Sequence, residues 1–480
     1  MTDACDLTAT EARRLIGTKQ LSPVELLQGC LARIDRVDGA LNAIVTLDAK
    51  GAMATARTAE AAVMAGATLG PLHGLPLAVK DNRATKGMRT THASLLFEDH
   101  VPNADDPSIA LVRKAGAIIF AKTNLPEFGA GANTVNRVFG ATGNPFDTTR
   151  TCGGSSGGSA VALATGMAPL ATGSDYGGSL RTPASFCGVV GFRPSMGVAP
   201  MANGPAVFSP WGVNGPMGRT LADAHLLLSA QVDHDPRDPF SHPGVTELAA
   251  PLREIDLGAL KIAVTPDLGC CPVDQGIARV FGERTARFGH AFGAVDQTAP
   301  DFGNIHDMFE VLRGLSFVSA HGERVKKHRD LLDRNVVDNV DRGLEYSLAD
   351  VAWAHNEQTK VMRNWLAFFD DYDALICPGA SVPPFPHDQL FVTQIDGEQM
   401  PTYMRRLALS YAPTMAMAAG AVLPCGVADL GLPFGIQILG PRGADRKILE
   451  IARALEQVLA ADPATARPLP DLAKLGGVKR

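Results

Sequence analysis

The sequence predicts an α/β fold, on three observations. Short apolar runs of strand length alternate with segments whose apolar residues recur at helical spacing, the pattern of a sheet covered by helices. The 480-residue chain is 46% apolar and 20% charged, enough to bury a large core in water. Two glycine–serine runs, 153–159 and 174–181, mark backbone that turns tightly or offers N–H groups to a ligand.

The elements follow in order. Ser22-Pro23-Val24-Glu25 joins an N-cap serine, a proline at the first helical position and a glutamate at the third, which is a capping box. Val24, Leu27, Leu31, Ile34 and Val37 then keep helical spacing, and an alanine-rich helix covers Asp48 to Met64. From Gly70, turn residues lead into the apolar strand Leu77-Ala78-Val79, which delivers Lys80. Asp106-Pro107-Ser108 caps a helix through Lys114, Gly116 ends it, and Ala117 to Ala121 reads as a buried strand. After Ser159 a small-residue helix, Ala160 to Thr165, precedes a strand from Met167 to Thr172.

Asp233 to Pro243, with three prolines and two histidines, reads as an internal linker. Leu260 to Val264 is a further strand, 275–365 is mostly helical, and Ala374 to Cys377 and Gly435 to Leu439 are buried strands. Asp445 is expected to cap a last helix with Ile448, Ile451, Leu455 and Leu459 on one face. The proline-rich tail from Ala461 is expected to be loose.

A net charge of −6 with interspersed signs argues against a nucleic-acid binder, which carries a basic patch. No run approaches the roughly 20 apolar residues of a membrane span, and no membrane partner is expected. The first residues show no basic stretch leading into an apolar one, so no secretory leader is expected. Eight scattered cysteines without a Cys-x-x-Cys pair fit free buried thiols in a reducing cytoplasm better than a zinc or redox centre. Cys270-Cys271 falls in a loop and has no assigned role.

The glycine–serine runs carry the chemistry. Neither holds Gly-Lys-Ser/Thr at the spacing of a phosphate-binding loop. Gly153-Gly154-Ser155-Ser156-Gly157 does satisfy Gly-x-Ser-x-Gly, a nucleophile elbow, but no downstream histidine has a context that recommends it as the base. A serine hydroxyl is a poor nucleophile until a neighbour removes its proton. A lysine can do so when burial brings its ordinary pKa of about 10.4 down toward neutrality.

Gly153-Gly-Ser-Ser-Gly-Gly-Ser-Ala160 and Ser174-Asp-Tyr-Gly-Gly-Ser-Leu-Arg-Thr-Pro-Ala-Ser-Phe-Cys-Gly-Val-Val-Gly-Phe-Arg-Pro194 together resemble the signature of the amidase signature family. Gly74-Leu-Pro-Leu-Ala-Val-Lys-Asp-Asn82, Ala121-Lys-Thr-Asn-Leu-Pro-Glu-Phe-Gly129, Gly140-Ala-Thr-Gly-Asn-Pro145 and Gly431-Leu-Pro-Phe-Gly-Ile-Gln-Ile-Leu-Gly-Pro441 agree in the same order. The resemblance spans most of residues 8–225 and resumes from about 373 to 459.

It implies one domain built on a mixed, mainly parallel β-sheet sandwiched between helices. Residues 1–66 would be N-terminal helices, 70–225 the signature core, 240–370 a variable helical region that shapes the substrate site, 371–460 the rest of the core and 461–480 a tail. It also implies a Ser–cis-Ser–Lys triad, with Lys80 as base, Ser155 as the bridging serine on a cis peptide and Ser179 as nucleophile. Backbone amides of Tyr176, Gly177 and Gly178 would form the oxyanion hole, as a glycine-rich turn can. Ser156, Asp175 and Arg181 would support these groups; Asn124, Gly129, Tyr176 and Met415 are the candidates for the substrate pocket.

The expected activity is hydrolysis of a linear carboxylic amide, with no metal and no organic cofactor. The alternatives are a carbamate or aryl-acylamide hydrolase on the same triad, the glutaminase component of glutamyl-tRNA amidotransferase, and an inactive binding protein. The expected partner is a small amide or carbamate, with a homodimer as the candidate assembly. The stretch Thr414-Met-Ala-Met-Ala-Ala-Gly-Ala-Val-Leu-Pro424 departs from the family pattern, so the triad is legible and the substrate is not.

Overall fold

The computed structural model describes residues 3–202 and 207–477. Eleven strands form one sheet: β1 (Ile44–Leu47), β2 (Pro76–Lys80), β3 (Ile118–Thr123), β4 (Leu170–Asp175), β5 (Val190–Arg193), β6 (Val213–Gly218), β7 (Lys261–Val264), β8 (Ala294–Gln297), β9 (Ala374–Pro378), β10 (Ala419–Val427) and β11 (Pro433–Gly440). Their spatial order is β1-β3-β2-β4-β6-β5-β10-β11-β9-β7-β8. The sheet is mixed, with helices packed on its faces. Parallel pairing is confined to two flanks, β3–β2–β4 and β9–β7–β8. The central pairings and the edge pair β1–β3 are antiparallel, so the parallel character expected from the sequence belongs to those flanks.

Strands β2, β3, β9 and β11 are buried at every position, which is why each reads as a mainly apolar run. The central strands β5, β6 and β10 escape that reading because close packing demands glycine there. A Cβ on Gly215 would lie 2.3 Å from the Phe192 carbonyl, and one on Gly191 2.6 Å from that of Leu180. β6 and β10 also carry Pro216 and Pro424 inside the sheet.

Local signals set the helix starts. The Ser22 capping box opens the helix Pro23–Leu41, and Asp48 and Asp106 cap those at Ala49–Met64 and Pro107–Lys114. The helix Gly157–Ala164 is buried at every position beneath the sheet. A long helix, Ile305–His328, packs with Arg334–Glu345 and Leu348–Phe368 over an aromatic cluster that includes Phe309, Tyr411 and Trp365.

Three expectations are corrected. Asp445 occupies the first turn of Asp445–Ala461 rather than its cap, and its carboxylate accepts the Ser195 N–H at 2.7 Å. The tail is packed as far as Leu475, which is buried in the core, and Arg467 Nε donates to the Gly188 carbonyl at 2.8 Å. Residues 233–243 are part of a folded wall, because Asp238 accepts the N–H groups of Met201 and Phe240 at 3.0 and 2.9 Å.

Candidate active site

Parallel pairing of β2 with β4 brings Lys80 beside the end of β4 and the turn that follows it. Lys80 is completely buried; its backbone N–H donates to Thr172 Oγ1 at 3.1 Å. Its Nζ lies 2.7 Å from Ser155 Oγ, 2.9 Å from Ser156 Oγ and 3.0 Å from Ser174 Oγ. Burial drives the amine's pKa well below that of an ordinary lysine, and Arg83 adds to the effect against a weaker pull from Asp175. A neutral amine has two N–H donors and one lone pair, so these hydroxyls can both accept from it and donate to it.

The two serine runs are joined through their backbones. Ser156 N–H donates to the Ser179 carbonyl at 3.1 Å, and the Gly154–Ser155 peptide is cis. Ser155 and Ser174, both bonded to Lys80, face one chamber of about 140 Å³ together with the half-buried Ser179. Among the described residues no histidine lines this chamber.

Behind Ser179 stands a buried ion cluster. Asp175 meets Arg181 at 2.9 Å and Arg193 at 3.2 Å, all three essentially without solvent contact. Burial alone would raise the Asp175 pKa, but the two guanidinium groups outweigh it and hold the carboxyl well below its ordinary range. Arg181 also donates to Thr414 Oγ1 at 2.9 Å, tying the turn to the helix Ala408–Met415.

This cluster changes the reading of the oxyanion hole. The Gly178 N–H is taken by Asp175 Oδ1 at 2.9 Å, and Leu180 N–H by Oδ2 at 3.1 Å. The N–H groups of Tyr176, Gly177 and Ser179 carry no such bond among the described residues. Gly178 therefore shapes the turn, at φ +107, rather than offering its amide to the chamber.

The remaining candidates divide. Gly129 and Tyr176 line the chamber, and a Cβ on Gly129 would stand 3.2 Å from Ser155 Oγ. Asn124 lies outside its wall, fully buried, with its amide committed to Thr142 at 3.0 Å and its carbonyl oxygen to Asn136 at 2.7 Å. Met415 is likewise in the core, among Phe309 and Tyr411. Sequence reasoning missed Asn82, Ser174 and Arg83 in the chamber, although Asn82 and Ser174 lie inside the quoted motifs.

The chamber shares Arg83, Phe128, Gly129, Tyr176 and Met201 with an adjoining cavity of about 300 Å³. Its apolar lining includes Phe128, Met196, Met201, Phe240 and Phe317, and the helix Ile305–His328 adds Arg313 and His321. Burial, then Arg324 and Arg313, lower the His321 pKa to about 4, so this histidine is neutral at pH 7. Elsewhere, Asp3, Cys5 and Asp6 come close enough to hold a metal, but Arg33 pairs with both carboxylates. Among the described residues no helix is long and apolar enough to cross a membrane.

Fold and sequence together define an amide-hydrolase class. The chain belongs to the amidase signature family: a family model described as Amidase matches residues 25–449. It is 30% identical to an acylamidase of Rhodococcus erythropolis, covering 94% of this chain and 95% of that one. It is 33% identical to a component of the glutamyl-tRNA(Gln) amidotransferase of Acidothermus cellulolyticus, covering 95% of both chains. The solved structure of a bacterial aryl acylamidase of the amidase signature family superposes with a TM-score of 0.85 at 27% identity, covering 95% of this chain and 96% of the other.

Proposed function

We propose that the chain hydrolyses the C–N bond of a small carboxylic amide through an acyl-Ser179 intermediate. The observation that carries this reading is the completely buried Lys80 amine, 2.7 Å from the Oγ of Ser155, which lines the same chamber as Ser179. Lys80 in its neutral form takes the Ser155 proton while Ser155 takes that of Ser179, and the Ser179 oxygen attacks the amide carbon. The free N–H groups of Tyr176, Gly177 and Ser179 are the donors available to the developing oxyanion. The proton returns along the same path to the leaving nitrogen, the C–N bond breaks, and an ester remains on Ser179. Water then adds to that ester, the relay takes one of its protons, and the carboxylic acid leaves as Ser179 is reprotonated.

Within this class we place the substrate among acylamides and anilides rather than glutamine hydrolysed to pass ammonia to a partner protein. Phenylalanine and methionine in the wall of the adjoining 300 Å³ cavity support an apolar or aromatic group, and acylamidases are among the relatives. Esters and carbamates present the same carbonyl to Ser179 and are expected as slower or accessory substrates. A fluorophosphonate probe tests the mechanism: wild type takes one covalent label, on Ser179, and Ser179→Ala takes none. Label on Ser155, or on no serine, overturns it. Hydrolysis rates across anilides, aliphatic amides, carbamates and glutamine test the substrate class, and a preference for glutamine overturns it.

A further inference from the structure

Arg313 rises from the helix Ile305–His328 into the wall of the 300 Å³ cavity, and only 6% of it is exposed. Its Nε donates to Asn339 Oδ1 at 2.8 Å and its Nη2 to the Tyr403 hydroxyl, while Nη1 has no acceptor among the described residues. Three aromatic rings surround the guanidinium: Cζ is 4.4 Å from the Phe317 centroid, 5.2 Å from that of Tyr176 and 5.4 Å from that of Tyr403. All of these partners are neutral. Among the described residues no carboxylate pairs with Arg313, whereas Arg181 and Arg193 behind Ser179 share Asp175.

The acidic residues of the same cavity form no ion pair with Arg313. Asp106 Oδ1 caps its own helix, and its Oδ2 faces Arg83 at 3.9 Å. Both oxygens of Asp238 accept backbone N–H groups of the cavity wall. Further along the helix Arg324 stacks against Phe97 and Phe128, again without an acidic partner among the described residues. A buried cation held by neutral groups, with one N–H pair left over, is a preorganised receptor for an anion, and guanidinium matches carboxylate best.

We propose that the preferred substrate is an amide that also carries a carboxylate, and that Arg313 is the specificity-determining residue which binds it. The Tyr176 ring stands beside Arg313, and Tyr176 precedes Gly177-Gly178-Ser179 in the chain, so the carboxylate sits across that ring from the reacting carbonyl. The inference rests on the reading of Ser179 as nucleophile.

Matched substrates test it. In one pair the acyl part carries the charge, glutaric monoanilide against butyranilide; in the other the amine part carries it, 4-acetamidobenzoate against acetanilide. Wild-type enzyme is expected to favour the charged member of one pair by about 10–100-fold in kcat/KM, chiefly through KM. The pair that responds tells which half of the substrate lies against Arg313. Arg313→Met is expected to collapse that ratio toward one, and Arg313→Lys to restore part of it. No preference in either pair, or a ratio that Arg313→Met leaves unchanged, overturns the proposal. Should Arg313→Met fail to fold, glutarate inhibition of wild type decides: competitive inhibition weakened by salt supports the proposal, and none at millimolar glutarate overturns it. Fluorophosphonate labelling of the same preparations separates the two readings. Enzyme labelled on Ser179 without anion preference sinks only the carboxylate; enzyme not labelled there sinks the mechanism as well.

Discussion

Lys80 Nζ stands 2.7 Å from Ser155 Oγ, although 75 residues separate the two in the chain. The parallel step from β2 to β4 and the burial of the helix Gly157–Ala164 under the sheet make that contact. The same burial removes the water that would keep the amine protonated.

Removing the amine should therefore stop the proposed reaction. Lys80→Met is expected to lower kcat/KM for an amide by about 10³-fold or more, and Ser179→Ala by a similar factor. Because both act in one step, the double variant should lose no more than the worse single one. Steady-state rates on an anilide check this, and additive losses would argue for independent roles.

The pH dependence follows from the direction of the Lys80 shift. Its folded pKa lies well below 10.5, so the unfolded chain binds an extra proton between the two values. Stability contributed by this site accordingly rises with pH across that window. Lys80→Met removes the term, and denaturant titrations from pH 7 to 10 should show a flatter stability–pH slope than wild type. Activity should rise through an acid limb as the Lys80 amine loses its proton in the folded enzyme.

Gly129 has φ +78, and an added Cβ would lie 3.2 Å from Ser155 Oγ. Gly129→Ala is expected to cost roughly 1 kcal/mol of stability through its backbone. It should lower kcat by about tenfold or more, because small displacements at a reacting centre are costly. Thermal melting beside kinetics separates the two effects.

Asp175→Asn should leave Arg181 and Arg193 as uncompensated buried cations and destabilise the fold by about 3–5 kcal/mol. The folded pKa of Asp175 is depressed below its ordinary 3.8. Its stabilisation is therefore intact above that value and disappears only as the pH falls toward the folded pKa. Guanidinium unfolding of wild type and variant at pH 7 measures the difference.

Where a segment's environment was uniform, its pattern could be read directly. The fully buried β2, β3, β9 and β11 are built mainly of apolar residues, and Ser22, Asp48 and Asp106 announce their helices. Strands β5, β6 and β10 were hidden, since a glycine or proline accepted for close packing carries no strand signal of its own. The linker reading of residues 233–243 failed for a related reason. Proline and aspartate mark a turn equally well on a free loop and on a folded wall, and only the bond from Met201 to Asp238 tells them apart.

The sequence by itself determined the family, the α/β class and the positions of Lys80, Ser155 and Ser179, because these lie in contiguous motifs with local backbone demands. Tertiary structure alone decided that Gly178 gives its amide to Asp175, that Asn124 and Met415 belong to the core, and that Arg313 meets Tyr176 across 137 positions of chain. Hydrogen-bond commitment, burial and charge balance are properties of neighbours in space. They come into being only when strands and helices distant in the chain pack together.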